Sequence, residues 1–368
     1  MNSTTTLSIP SAVESLLEQA IREGVFPGAV LTAGLRGEVV IHAAFGRFTY
    51  SHLSGKVTPD TLFDIASLTK VIATTTMAML LYERGRLELD RPVADYLPEF
   101  TNRPEPADRN DAARKNVTLR HLLAHNSGLP AYCPYYQSAG TGETLLTALF
   151  DTPVECAPGT RTLYSDPGFI LLGKVLERIA GEPLDQFFGR EIAGPLGLVQ
   201  TGFCPPRRLR PFIAPTELDG DFRKRLVQGE VHDENAWVLG GAAGHAGLFS
   251  TSGDVARFAQ MMLDEGKLGG SPFLQSTTIR SFLERQGPEG RRLGWDLPTP
   301  DGSTGSHFSA ASFGHLGYTG ASLWIDPENQ LYVALLNNRV YPTRENKKIS
   351  EIRPRIHDAV VEACRGVQ

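Results

Sequence analysis

The heptapeptide Ile65-Ala66-Ser67-Leu68-Thr69-Lys70-Val71 opens an apolar pattern that runs on to Glu83. That pattern predicts a helix over 65–83, with Gly85 just past its end, where a left-handed cap favours glycine. Residues three apart share a helix face, so Lys70 reaches the Ser67 hydroxyl from the next turn. A serine is a poor nucleophile until a neighbour takes its proton, and a lysine whose pKa is lowered by burial near other cations can act as that base. At a helix start the Ser67 N–H is also free to face an oxyanion. The same spacing arises by chance on amphipathic helices, so the surroundings of the motif decide what it means.

Two further elements follow in order. Tyr164-Ser165-Asp166 precedes a helix expected over 167–180, capped by Ser165 or Asp166 and ended by Gly181. A phenol beside an ammonium ionises more easily and can carry protons, which gives Tyr164 a part in the chemistry. Gly314-His315-Leu316-Gly317-Tyr318-Thr319-Gly320 reads as a glycine-bracketed strand edge that a ligand can approach closely. There His315 would supply a hydrogen bond or a positive charge, and the Tyr318 N–H a second oxyanion donor.

Outward from these motifs, 10–23 has helical spacing with Ser11 as cap. Gly28–Leu35 and Glu38–Phe45, joined by Arg36-Gly37, read as a hairpin. Residues 101–116 are polar and read as a surface loop. Thr118–His125 reads as a helix, and Thr251–Asp254 as a capping box opening the helix 255–263. Ser322–Ile325 and Leu331–Leu336 are strands about the turn Asp326-Pro-Glu-Asn, and a last amphipathic helix covers 349–364. The simplest packing places both chain ends in one antiparallel sheet flanked by helices. On that reading 1–65 with 290–368 forms an α/β (α+β) sheet domain, 66–289 a mostly helical insertion, and the site lies in the cleft between them.

Ser-Leu-Thr-Lys, Tyr-Ser-Asp and His-Leu-Gly, in that order, resemble the motif set of the serine β-lactamases and penicillin-binding proteins. The tyrosine points to the class C β-lactamase, DD-peptidase and esterase type. The phrases TLRHLLAHNSGLP (118–130), PLGL (195–198) and GLFSTSGDVARFAQMM (247–262) match the wider family. The resemblance implies a serine β-lactamase-like fold and an acyl-enzyme on Ser67. It makes Lys70 and Tyr164 the proton-transfer pair, puts His315 in the place of the third-motif lysine, and assigns the oxyanion hole to the amides of Ser67 and Tyr318. Asp166, Gly317 and Asn126 fall at substrate-binding positions. Two departures stand out. Asp166 replaces an asparagine, trading an amide donor for a charge, and His315-Leu316 replaces Lys-Thr, the pair that holds a β-lactam carboxylate. Both fit the esterase and peptidase branch better than efficient β-lactam hydrolysis. VHDENA (231–236) with GGAAGHAGL (240–248) resembles a subgroup that includes members linked to cell-wall turnover. Its Asp233 and Glu234 either line the cleft and bind a cationic or hydroxylated group, or cap backbone amides in a loop.

The substrate classes implied are a carboxylic ester or small amide with weak β-lactam hydrolysis, or a D-amino-acid peptide or muropeptide in cell-wall recycling. A module that is acylated without turnover is a third reading. No cofactor is implied. His121 and His125 have zinc-pair spacing, but HLLAH lacks the glutamate of HExxH and a third ligand, so no metal is expected. Trp237, Trp295 and Tyr135-Tyr136 fall in expected loops, where they either pack or wall an acyl pocket. With 36 basic and 41 acidic residues, a net charge of -5 and no Lys/Arg block, nucleic-acid binding is not expected. Four scattered cysteines form no CxxC pair, and free thiols are expected. No run approaches the ~20 apolar residues of a membrane span. The N-terminal stretch lacks a basic-then-apolar leader pattern, which gives a cytoplasmic expectation, and makes Asn2-Ser-Thr4 and Asn116-Val-Thr118 chance glycosylation matches.

Overall fold

The computed structural model describes residues 9–102, 109–287 and 289–366. The hairpin expected near the start forms as β1 (Gly28–Leu35) and β2 (Glu38–Gly46). From the other end of the chain come β3 (Phe313–Leu316), β4 (Ser322–Asp326) and β5 (Leu331–Asn337). All neighbours are antiparallel and the order is β3-β4-β5-β1-β2, so the two ends of the chain meet where β1 pairs with β5. Strand side chains alternate between faces. Leu31, Val333 and Leu335 therefore join the layer of helices α1 (Ser11–Arg22) and α2 (Ile349–Arg365), while Val30, Ala334 and Leu336 join the larger core opposite. A helix from the middle of the sequence, Ser252–Leu263, packs on β1, β4 and β5 from that second side.

Several local expectations change. The helix predicted over 65–83 starts late. Phe63–Asp64 is a short strand paired with Leu248–Ser250, and Ala66 is left-handed at φ 45°. Lys70–Thr75 is then wound as a π-helix before the regular helix Thr76–Glu83. The cause is Asp64, whose Oδ1 takes the Ala66 N–H at 2.8 Å and folds the chain into a turn ahead of the helix.

Ser11 is not a cap: Pro10 holds that position and no side chain bonds there. The helix after Thr118 stops at Leu123, and His125 is left-handed at φ 54° because its ring is committed to the Ser165 N–H. His121 and His125 thus share no helix face. The helix expected from 255 begins at Ser252. Only half of its capping box forms, since the Asp254 carboxylate accepts from Gln200 N and Thr201 Oγ1 instead.

Of the loop read over 101–116, residues 103–108 lie outside the described part, as does the Asn2 match. The remainder holds the short helical turns Arg109–Ala112 and Ala113–Asn116, and its Asp111–Arg114 pair at 2.8 Å is buried rather than on the surface. Trp295 is a core residue against Phe258 and Phe313, and Trp237 lies on the helix Glu234–Val238. No described helix is long and apolar enough to cross a membrane.

Candidate active site

Ser67 sits in the turn between the Phe63–Asp64 strand and the π-helical turn, and Lys70 follows it on the inner face. Asp64 fixes this turn three ways. Its carboxylate oxygens accept from Ala66 N at 2.8 Å and His232 N at 2.6 Å, and its carbonyl accepts from Thr319 Oγ1 at 2.7 Å. One buried residue therefore ties the Ser67 turn, the 231–247 segment and the third motif together. π-helical turns recur at functional sites, where the extra residue per turn re-aims side chains.

Lys70 is fully buried. Its Nζ donates to Ser67 Oγ at 2.9 Å, Asp166 Oδ1 at 2.7 Å and the His245 carbonyl at 3.0 Å. An ammonium has three N–H donors, and here each has an acceptor. The expected lowering of the Lys70 pKa is therefore corrected. Burial alone would lower it, but the Asp166 carboxylate and Tyr164 outweigh burial, and the pKa rises. Tyr164 also departs from expectation: burial pushes its phenol up to about 12, against the opposing pull of Lys70. Its hydroxyl still interacts with both Lys70 and Ser67, and its ring lies 4.9 Å from Nζ. His125 stacks on that ring at 4.6 Å and is held neutral by burial and by the cations Arg291 and Lys70.

The third motif lies at the end of β3. His315 is buried, and its Nδ1 faces the Leu316 carbonyl at 2.8 Å. A carbonyl only accepts, so Nδ1 carries the hydrogen and Nε2, which has no protein partner, is a free lone pair. Burial pulls this imidazole down to about 4, so it is neutral at pH 7. Of the hydrogen bond or positive charge expected there, the neutral imidazole leaves the hydrogen bond, with His315 Nε2 as an acceptor. Gly317 packs so closely on the turn that carries Ser67 that a Cβ would stand 2.5 Å from the Ile65 carbonyl. No described group accepts from the N–H of Ser67 or of Tyr318.

Two arginines support this loop, and sequence reading missed both. Arg339 Nε donates to the Tyr318 carbonyl at 2.9 Å, and its guanidinium lies 4.5 Å from the Tyr318 ring. Arg353 donates to the Gly320 carbonyl at 2.9 Å, and burial pulls it down to about 10. A signal for Arg353 existed: a charge between Ile349, Ile352 and Ile356, on the buried stripe of α2, demands a specific partner.

Ser67, Tyr164, Asp166, His315, Gly317 and Tyr318 come together around one cleft of about 880 Å³. Asp233 and Glu234 line it as well, but their charges face inward. Asp233 caps the helix Glu234–Val238 through Ala236 N at 2.7 Å and meets His245 Nε2 at 2.8 Å, and it is held below the usual carboxylate range because His245 outweighs burial. Glu234 meets Arg344 at 2.5 Å, and Arg344 also holds Glu217. Asn126 is not brought to the cleft. Its buried side chain lies beside Gly287, and it is not among the residues lining the cleft. Tyr136 reaches the cleft wall, while Tyr135 is buried against Thr152 at 2.6 Å.

The family model for Beta-lactamase matches residues 13–354. A protein of Escherichia coli (strain K12) described as "Putative D-alanyl-D-alanine carboxypeptidase" is 35% identical over 312 residues, 77% of this chain and 70% of that one. The N-acetylmuramyl-L-alanine amidase of Bacillus subtilis (strain 168) is 32% identical over 373 residues, covering 92% of this chain and 84% of that protein. Among solved structures, EstCE1, a hydrolase with promiscuous acyltransferase activity, superposes with a TM-score of 0.76 at 27% identity, over 95% of this chain and 98% of that one.

Proposed function

The chain belongs to the β-lactamase family of serine hydrolases, and on that premise we propose that it transfers an acyl group from a carboxylic ester or small amide to water through an acyl-enzyme on Ser67. The observation that carries this reading is the 2.9 Å contact of Ser67 Oγ with the buried Lys70 Nζ at the floor of the cleft. The attacking oxygen adds to the carbonyl carbon, and the oxyanion forms against the N–H groups of Ser67 and Tyr318. Two preorganised amides in a water-poor site stabilise that charge without reorganising. His315 Nε2, neutral and unpartnered, accepts from a donor on the substrate. The absence of a cation there, where related enzymes hold a β-lactam carboxylate with lysine, makes β-lactam hydrolysis slow relative to ester hydrolysis.

A second reading is an amidase or D-amino-acid peptidase acting on muropeptides. It is favoured by the amidase relative that aligns over 92% of this chain. The test is a panel of p-nitrophenyl butyrate, a chromogenic cephalosporin and an N-acetylmuramyl peptide, offered to wild type and Ser67→Ala. Ser67-dependent cleavage of the ester above the other two supports the first reading. Preference for the peptide supports the second. A stable β-lactam adduct without turnover would instead make the protein a binding module, and activity that survives Ser67→Ala removes Ser67 from the mechanism.

A further inference from the structure

Lys70 has no lone pair with which to receive a proton. Each of its three N–H donors faces an acceptor: Ser67 Oγ, Asp166 Oδ1 and the His245 carbonyl. Its side chain has no exposed surface, so it cannot exchange a proton directly with water. The other groups around it are the Tyr164 phenol, the Phe169 ring at 5.7 Å, and the neutral imidazoles of His125 and His315. Asp166 differs from all of them. It is an acid partner in direct contact with Nζ, its side chain is 20% exposed, and it lines the cleft.

We propose that Asp166 is a catalytic residue, the group that holds the Ser67 proton while the acyl-enzyme forms, with Lys70 as the relay between them. This role rests on the Ser67 acyl-enzyme proposed above. As Oγ bonds to the carbonyl carbon, the π pair moves onto the carbonyl oxygen. The Ser67 proton passes to Lys70 Nζ while a different Nζ proton passes to Asp166 Oδ1. Lys70 begins and ends as an ammonium, and Asp166 becomes a carboxylic acid. On collapse the carbonyl re-forms and the bond to the leaving group breaks. The proton then returns from Asp166 through Lys70 to the departing oxygen or nitrogen. Water repeats the cycle in the second half. The raised pKa of Lys70 agrees with this resting state. A free lysine base would need Lys70 to lose its proton before any attack.

The two mechanisms predict opposite signs. We would measure the rate of Ser67 labelling by a fluorophosphonate between pH 6 and 10 for wild type, Asp166→Asn and Ser67→Ala. Labelling needs only an activated serine, so no natural substrate has to be known. With Asp166 as proton holder, Asp166→Asn labels at least about 100-fold more slowly than wild type at pH 7, the lower end for loss of general-base help. The variant then recovers as pH rises and Lys70, no longer held charged by a carboxylate, becomes neutral, while wild type shows no such rising limb. Asp166→Asn labelling as fast as wild type or faster at pH 7 overturns the proposal. So does a wild-type rate that climbs with deprotonation of Lys70, a readout that does not depend on the variant folding. Equal labelling of Ser67→Ala and wild type strikes at the Ser67 reading itself, and is distinct from both.

Discussion

Gly317→Ala should separate the two halves of the oxyanion hole. An alanine Cβ at 317 would stand 2.5 Å from the Ile65 carbonyl oxygen and 3.1 Å from the Ala321 Cβ. Restoring an ordinary 3.4 Å contact with Ile65 requires the two backbones to part by about 0.9 Å (3.4 − 2.5). Neither side can yield easily. The Gly317 N–H is bonded to the Ala321 carbonyl at 2.7 Å, and the Ile65 N–H to the Leu248 carbonyl at 3.1 Å. Ile65 stands two residues before Ser67 and Gly317 directly before Tyr318, so the displacement falls between the two proposed donors. A misplacement near 1 Å costs about 100-fold in rate, and complete loss of one oxyanion donor about 100- to 1000-fold. We therefore expect kcat on p-nitrophenyl butyrate to fall by about 100-fold with KM changed by less than about threefold, because these donors act on the transition state rather than the bound ester. Overpacking of this kind also destabilises by about 1–3 kcal/mol, which a thermal melt will register while the protein stays folded at 25 °C. If Gly317→Ala keeps kcat within about twofold of wild type, the close approach of 317 to 65 does not set the oxyanion geometry, and the reasoning fails.

Asp64→Ala removes the acceptor from the Ala66 and His232 amides. Each buried N–H left alone costs about 1–3 kcal/mol, so the urea midpoint should drop markedly, and Asp64→Asn, which keeps one acceptor, should lose less; equal midpoints for all three proteins would show that the clamp is idle. Glu217 is buried and held down at about 2: burial alone would raise it, but His232 and Arg344 outweigh burial. Its folded pKa lies below the unfolded value of 4.5, so its stabilisation is present above pH 4.5 and is lost as pH falls towards 2. The difference (4.5 − 2) corresponds to at most about 3 kcal/mol, so Glu217→Gln should be less stable than wild type at pH 6 and converge with it in acid unfolding near pH 2; parallel acid-unfolding curves would contradict this.

The sheet was legible because its strands carry local signals. Gly28–Leu35 and Leu331–Asn337 are apolar runs bounded by turn residues, and no tertiary contact was needed to see them. Helix boundaries were not, because at three of them a side chain beside the boundary bonds a backbone amide outside the expected helical pattern. Asp64 delays the nucleophile helix by bonding Ala66 N, His125 ends its helix to take Ser165 N, and Asp254 leaves its capping box for Gln200 N and Thr201. Residues singled out by the motifs, Ser67, Tyr164, Asp166, His315, Gly317 and Tyr318, lie around one cleft, but their protonation was not legible in the motifs.

Protonation escapes sequence reading because it depends on burial and neighbouring charge together, and the neighbours come from distant parts of the chain. Lys70 was expected to lose its proton through burial, and burial does act that way. What reverses the sign is chiefly the Asp166 carboxylate, 96 residues away and 2.7 Å distant, joined by Tyr164. At His315, whose hydrogen-bond partner is a carbonyl rather than a carboxylate, burial together with the cations Lys70 and Arg291 outweighs the opposing pull of Asp296, and the imidazole is neutral. The two departures from the family pattern, aspartate for asparagine and histidine for lysine, therefore act together. One holds positive charge at Lys70 beside Ser67, and the other puts a neutral imidazole where the family pattern has a lysine. On the proposed reading, a substrate meets a neutral acceptor at His315 where the family pattern has a cation, while Arg339 and Arg344 line the cleft elsewhere. For that reason relative rates on neutral esters and on anionic β-lactams report the charge distribution of the site more directly than either rate alone.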